Sequence, residues 1–141
     1  MAQVLVVCTG NVCRSPIAEG FLRRAFGAKL GANAPQVASA GTMGWTGSAA
    51  DPSSVAAAAE RGVDISGHRA RELEPAEIAG SALILGMAIE HAHAVVAEVP
   101  EARSRTFTLK ELVRLVESLP EVHEATPERR LGDHRLWRRD R

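Results

Sequence analysis

Short apolar runs alternate with helix-forming stretches along this chain, and that alternation limits the folds it can adopt. The apolar runs are QVLVV (3–7), QVASAG (36–41), SALILGM (81–87) and SRTFTL (104–109). Apolar residues recur at helical spacing between these runs, and an amphipathic helix is predicted over 110–119. Strands that alternate with helices predict an α/β protein with an open parallel four-stranded sheet and helices on both faces.

Capping residues locate the helices more closely. Ser15 is predicted to cap a helix that has Pro16 at its first position and that ends at Gly31. Asp51 followed by Pro52 predicts a second helix start. The helix over 110–119 should bury one apolar face, formed by Leu112, Leu115, Val116 and Leu119.

The 141 residues are enough for one hydrophobic core, so we predict one domain over 1–141. Six of the 17 basic residues lie in the last 13 positions, and 120–141 is expected to be a divergent, poorly ordered basic tail. A solvated terminus explains this tail better than a nucleic-acid site does, so nucleic acid is not an expected partner. The first apolar run is too short for a signal peptide or a membrane span, and two cysteines form no disulfide framework. We therefore expect a cytoplasmic protein without a membrane partner.

The loop CTGNVCRS, which follows the first predicted strand, groups residues suited to bind an oxyanion. Gly10 and Asn11 favour a tight turn with converging backbone N–H groups, and the helix start that follows adds partial positive charge. Arg14 adds a guanidinium that can hold two oxygens of the anion. Ligands of parallel α/β sheets bind beyond the carboxyl ends of the strands, where this loop lies. We predict a phosphate-binding loop that takes phosphate or sulfate.

The positive field of such a loop also stabilises a thiolate. Cys8, at the end of the strand, is the predicted nucleophile, and Ser15 can donate a hydrogen bond to the thiolate. The alternative is that Cys8 is a small buried apolar residue. We predict no metal site, because the two cysteines lie five residues apart and neither a second cysteine pair nor regular histidine spacing completes one.

The stretch VCTGNVCRSPIAEGFLRR, with C-x5-R-S, Gly-Asn and Pro in this order, resembles the low-molecular-weight protein tyrosine phosphatase family. ASAGTMGW (38–45), SALILGMAIEHAHAVV and RTFTLKELVRL extend the likeness over residues 3 to 116. The resemblance implies a phosphatase without a cofactor, which acts through a cysteinyl-phosphate intermediate. Phosphotyrosine on a protein is the favoured substrate, and a phosphoarginine or a small phosphomonoester is the alternative. In this family Cys8 would be the nucleophile, Arg14 would bind phosphate and Ser15 would assist the leaving thiolate.

The resemblance also assigns supporting residues. Asn11 would hold the loop in a strained turn, supported through hydrogen bonds by Ser39 and His68, and Met43 would line the substrate mouth with Trp45. The residues expected to bind substrate are Thr9, Gly10, Asn11, Val12, Cys13 and Trp45.

Cys13 has two interpretations. In the family the second loop cysteine can pair with the nucleophile, here Cys8, in a reversible disulfide that prevents overoxidation. The other interpretation is that Cys13 only packs, and the sequence leaves both open.

The C-terminal part departs from the family. The expected general acid is an aspartate in an Asp-Pro pair near the C-terminus, and PERRLGDHRLWRRDR contains no such pair. Asp133 is the nearest substitute by position, but a solvated partner of the neighbouring arginines explains it better. Ser81 stands where family members commonly carry an acidic residue. The family's last helix also has no counterpart, so a second copy of the chain or another partner is expected to cover that face of the sheet.

These departures leave three functions open. The first is a phosphatase with reduced activity for lack of the usual acid. The second is a thiol-dependent arsenate reductase, and the third is a catalytically impaired module that binds phosphate or a phosphoprotein.

Overall fold

A computed structural model describes residues 2–119, and the predicted tail with Asp133 lies outside them. The described residues alternate between strands and helices as predicted. The strands are β1 (Gln3–Cys8), β2 (Gln36–Gly41), β3 (Leu83–Gly86) and β4 (Thr106–Thr108). The helices are α1 (Arg14–Leu30), α2 (Pro52–Glu60), α3 (Pro75–Gly80), α4 (Ile89–Glu98) and α5 (Leu109–Ser118), with 3-10 turns at Gly31–Asn33 and Pro100–Arg105.

The strands form one parallel sheet in the order β2-β1-β3-β4. β1 is interior, and Val4 pairs with Val37 on one side and with Leu83 on the other. Its residues 4–8 are buried, as expected of an interior parallel strand. The predicted open four-stranded parallel sheet is confirmed, and the carboxyl end of its central strand leads into the loop of residues 8–15.

Helices cover both faces of the sheet, as predicted. On one face, α3 and α4 pack on β1 and β3, and the buried residues are Leu5, Val7, Ala40, Ile78, Ile84, Val95 and Ala102. On the other face, α1 and α5 pack on a cluster formed by Val4, Leu83, Leu85 and Phe107, with Leu22, Phe26, Leu109, Leu112 and Leu115.

α1 also contacts the segment that carries α2. A third cluster combines Ile17 and Phe21 of α1 with buried Ala58, Val63 and Ile65. Gly20 allows this approach, because a Cβ there would lie 2.8 Å from Val63 Cγ1 and 2.9 Å from Ile65 Cγ2. The segment that follows β2 is thereby held against the helix that begins at the loop.

Helix ends agree with the sequence at two of three predicted positions. Asp51 caps α2 by accepting a hydrogen bond from the Ser53 N–H, and α1 ends at Gly31, whose φ is +52°. The prediction that Ser15 caps α1 was wrong. α1 begins at Arg14, one residue before Ser15, whose side chain is buried and hydrogen-bonded within the loop.

The predicted apolar face of α5 is buried only in part. Leu112 and Leu115 pack on the sheet, whereas Val116 and Leu119 are 57% and 43% exposed. β4, the edge strand on which α5 packs, has only three residues and so offers the helix little sheet surface. No helix within residues 2–119 is both long and apolar enough to cross a membrane.

Candidate active site

The loop of residues 8–15 is held against the segment that follows β2. Gly41 makes this possible, because a Cβ at Gly41 would collide with the carbonyl oxygen of Thr9. Four backbone N–H groups of this segment then donate to loop carbonyl oxygens, so the path of the loop is fixed from outside it. These bonds are Thr42 to Cys8 (2.9 Å), Met43 to Thr9 (2.9 Å), Trp45 to Gly10 (3.3 Å) and Asp51 to Val12 (2.8 Å).

Asn11 is the turning point of the loop. It is fully buried with a φ of +59°, in the left-handed region that a residue other than glycine seldom adopts. Its Nδ2 donates to the hydroxyls of Ser15 (2.8 Å) and Ser39 (2.9 Å), and its Oδ1 accepts from the Arg71 N–H (2.8 Å). His68 Nε2 lies 2.7 Å from the Asn11 carbonyl oxygen. Both supports implied by the resemblance are present, and Arg71 is a third that the sequence did not reveal.

A carboxylate completes this support. Ser39 accepts from Asn11 and donates its own proton to Glu19 Oε1 at 2.5 Å, and Glu19 pairs with Arg23 at 2.6 Å. The carboxylate can only accept, so it fixes the direction of the Ser39 hydroxyl and leaves that oxygen free to accept from Asn11. Arg71 adds a guanidinium bond to the Ser39 carbonyl oxygen at 2.8 Å.

Cys8 and Ser15 meet inside the loop. Cys8 is 3% exposed, and its Sγ lies 2.9 Å from Ser15 Oγ. Because Ser15 accepts from the Asn11 amide, its own proton is available for the sulfur. Either atom can donate in this contact, and when Ser15 donates, the bond stabilises a thiolate on Cys8.

Arg14 and Cys13 occupy the outer part of the loop. Arg14 is exposed at the start of α1, and within residues 2–119 its guanidinium has no hydrogen bond or ion pair. Its fork of donors is thus available to an anion. Cys13 is exposed, and Cys8 and Cys13 are both free thiols. The pairing of Cys8 with Cys13, one of the two interpretations that the sequence leaves open, stays a hypothesis.

Apolar side chains border the loop. Met43 and Trp45 are 68% and 63% exposed, on the segment hydrogen-bonded to the loop. The indole of Trp45 lies close to Gly10, since a Cβ at Gly10 would be 3.7 Å from Trp45 Cδ2. The indole is available to stack on an aromatic ligand at the loop.

His91 was missed as a site residue. It lies in the first turn of α4, is 1% exposed, and its Nε2 is 2.9 Å from Thr9 Oγ1. Its Nδ1 accepts from the Ala88 N–H at 3.0 Å. Burial lowers the pKa of His91, and the charge of Arg14 lowers it further, against a smaller opposite effect of Glu90. A signal was present, because a histidine just after the third apolar run must lie at the same edge of a parallel sheet as the loop.

A groove of about 550 Å³ lies elsewhere, lined by Glu19, Arg23, Ser39, His68, Arg71 and Glu77 among others, and by no residue of the loop 8–15. It borders the residues that support Asn11 and is separate from the predicted phosphate site. Within residues 2–119 no cluster of three or more His, Cys, Asp or Glu side chains could hold a metal ion.

Comparisons with known proteins agree with the loop and the fold. The family model described as low molecular weight phosphotyrosine protein phosphatase matches residues 3–126. Low molecular weight protein-tyrosine-phosphatase Etp of Escherichia coli (strain K12) is 42% identical over 106 residues, which are 74% of this chain and 67% of Etp.

Solved structures are similar over nearly the whole chain. The tyrosine phosphatase Wzb from Escherichia coli K30, in complex with sulphate, has a TM-score of 0.70 at 29% identity, and the match covers 96% of this chain and 90% of Wzb. A cysteine-to-serine mutant of the YwlE arginine phosphatase, with a phosphorylated active-site serine, has a TM-score of 0.70 at 26% identity and covers 96% of this chain and 83% of its own.

The sheet order, and the loop of residues 8–15 that leads from interior strand β1 into α1, place the protein in the α/β class. More specifically, the chain belongs to the low-molecular-weight protein tyrosine phosphatase family, whose named members are enzymes.

Proposed function

We propose that this protein hydrolyses a phosphomonoester through a cysteinyl-phosphate on Cys8. The observation that carries the proposal is the 2.9 Å contact between Cys8 Sγ and Ser15 Oγ inside the loop, beside the free guanidinium of Arg14. The phosphorylated active-site serine that replaces a cysteine in the YwlE mutant supports a covalent intermediate at this position. The structure of Wzb in complex with sulphate supports oxyanion binding by a protein of this fold.

Binding comes first. Backbone N–H groups of the loop and the positive end of α1 favour a phosphate dianion, and Arg14 holds two of its oxygens. Thr9, Gly10, Val12 and Cys13 contribute to this site as residues of the loop backbone. Asn11 keeps these N–H groups convergent, because its left-handed turn is fixed by four hydrogen bonds.

Phosphoryl transfer then takes two steps. The Cys8 thiolate attacks phosphorus, the S–P bond forms as the ester P–O bond breaks, and the leaving oxygen takes a proton from solvent water. Water next attacks phosphorus and the S–P bond breaks. Inorganic phosphate leaves, and the thiolate of Cys8 is regenerated. Ser15 stabilises that thiolate by donating its hydroxyl proton to sulfur in a hydrogen bond. Arg14 and the loop N–H groups stabilise the charge on the transferred group.

The substrate class follows from the border of the loop. Exposed Trp45 beside Gly10 offers a face for an aromatic ring, and Met43 extends the apolar surface. We therefore favour phosphotyrosine on a protein. Phosphoarginine is the second candidate, because a structural neighbour is named an arginine phosphatase.

Three further proposals concern the whole chain. One domain spans residues 1–141, with 120–141 as a divergent tail. The protein acts in the cytoplasm, since a mechanism that needs a free Cys8 thiol suits a reducing compartment. A second copy of the chain covers the sheet face beside α5, where Val116 and Leu119 are exposed.

The test compares the wild-type protein with Cys8→Ser. We expect the wild type to release phosphate from p-nitrophenyl phosphate, and the variant to bind inorganic phosphate without turnover. Cys13→Ser is the matched control, and it should keep most turnover but lose recovery after peroxide. Equal loss of turnover in both variants would contradict the assignment of Cys8. Thiol-dependent turnover of arsenate without phosphate release would favour a reductase, and phosphopeptide binding without turnover would favour a binding module.

A further inference from the structure

His91 has a defined tautomer. Its Nδ1 accepts from the Ala88 N–H, so in the neutral ring the proton is on Nε2. Nε2–H therefore donates to Thr9 Oγ1 at 2.9 Å. Burial and the nearby charge of Arg14 both lower the pKa of His91, which favours the neutral ring.

The contact with His91 leaves Thr9 one proton to donate. Thr9 Oγ1 accepts from His91, so its hydroxyl proton points away from Nε2. Within residues 2–119 that proton has no acceptor, and Thr9 is exposed next to the proposed nucleophile Cys8. The Thr9 backbone is fixed as well, because its carbonyl oxygen accepts from the Met43 N–H at 2.9 Å.

The bond gives the buried Nε2–H of His91 an acceptor, but the exposed Thr9 does not need it. Water would satisfy an exposed hydroxyl such as that of Thr9 without a protein partner. The two residues are 82 positions apart, so the bond joins the N-terminal turn of α4 to the loop. What the bond adds is a fixed direction for the Thr9 hydroxyl.

We propose that His91 is a positioning residue of this phosphatase site, which fixes the Thr9 hydroxyl as a donor to an oxygen of the bound phosphoryl group. The proposal rests on the proposed function, because its ligand is the phosphoryl group held by the loop. A hydroxyl fixed in this direction adds one hydrogen bond to a charged oxygen, alongside Arg14 and the backbone N–H groups.

The experiment measures inorganic phosphate binding to the full chain by calorimetry, and kcat and KM for p-nitrophenyl phosphate. Thr9→Val should weaken phosphate binding about 10-fold or more, the effect of losing one hydrogen bond to a charged group. His91→Ala should weaken it several-fold, and KM should rise by the same factor while kcat changes less. In the Thr9→Val background, His91→Ala should have no further effect. Thr9→Ser keeps the hydroxyl and should bind as the wild type does.

His93 is the matched control, because it is exposed on the same helix two residues further on. His93→Ala should stay within twofold of the wild type. The proposal is wrong if His91→Ala also stays within twofold, or if its effect multiplies with that of Thr9→Val. Should His91→Ala fail to fold, equal phosphate affinity of Thr9→Val and Thr9→Ser would refute it instead. Because binding is measured without turnover, a wild type that binds no phosphate would contradict the proposed function itself.

Discussion

Asn11 adopts a backbone conformation that its own side chain stabilises. Asn11→Ala and Asn11→Gly both remove the donor to Ser15 and Ser39 and the acceptor of the Arg71 N–H, so each should lower the free energy of unfolding by about 2–4 kcal/mol. Alanine adds a cost of roughly 1–2 kcal/mol at positive φ, whereas glycine adds about 0.4–1 kcal/mol through the unfolded chain. Urea unfolding should therefore give Asn11→Gly a higher free energy of unfolding than Asn11→Ala. An alanine variant as stable as the wild type would show that the turn does not depend on this side chain.

His91 should make stability depend on pH. Its pKa is lowered in the fold, mainly by burial, so the unfolded chain binds a proton more readily than the folded one. The contribution of neutral His91 to the free energy of unfolding is fully present above the ordinary histidine pKa of about 6.5. It is lost as pH falls through the lowered pKa of the folded state. Between pH 7.5 and pH 5, the free energy of unfolding measured in urea should fall less in His91→Asn than in the wild type. His93→Asn should keep the wild-type dependence, and equal losses in all three proteins would contradict the prediction.

The contact between α1 and the segment after α2 depends on Gly20. A Cβ there would meet Val63 and Ile65 at less than 3 Å, and these β-branched side chains have little room to move. Overpacking typically costs about 1–3 kcal/mol and exceeds the roughly 1 kcal/mol that alanine gains over glycine in a helix. Gly20→Ala should therefore destabilise the protein by about 1 kcal/mol. Gly27→Ala lies in the same helix with open space around it and should stabilise by about 0.5–1 kcal/mol. A shift of the unfolding temperature in the same direction for both variants would refute this packing argument.

Elements were predictable where local chemistry decides them. The four apolar runs became the strands, and Asp51 with Pro52 marked the start of α2 because a cap needs only neighbouring residues. The prediction for Ser15 was wrong because its hydroxyl can either cap a helix or form hydrogen bonds within the loop. Bonds to Cys8 and Asn11 replaced the cap, and nothing in the local sequence distinguishes these uses.

At the scale of the whole molecule, the site joins segments that are far apart in sequence. Cys8, Arg14 and Ser15 could be named from the sequence because one loop carries them. Arg71 reaches Asn11 across 60 positions and His91 reaches Thr9 across 82, so both depend on how the strands are ordered. The order β2-β1-β3-β4 places their segments beside the loop, and this order does not follow from the alternation of strands and helices alone.

Substrates with different leaving groups test whether the protein supplies a general acid. The residues proposed to bind phosphate lie in the loop, whereas 120–141 contains no Asp-Pro pair and Asp133 lies outside the described residues. A positioned acid typically supplies about 10²- to 10⁴-fold in rate by protonating the leaving oxygen. p-Nitrophenyl phosphate needs little protonation, so the protein should hydrolyse it far faster than phenyl phosphate. Its rate should also lack the fall at high pH that a general acid imposes.

Asp133→Asn decides whether the tail supplies this acid. If Asp133 is a solvated partner of the neighbouring arginines, the variant should match the wild type on both substrates between pH 5 and 8. Asp140→Asn is the control, since it changes a second tail aspartate by the same amount of charge. Near-equal rates for the two leaving groups, with a large loss in Asp133→Asn alone, would contradict the prediction. The transferred phosphoryl group would then be held by the loop, and the departing oxygen would be protonated from a segment more than a hundred residues along the chain.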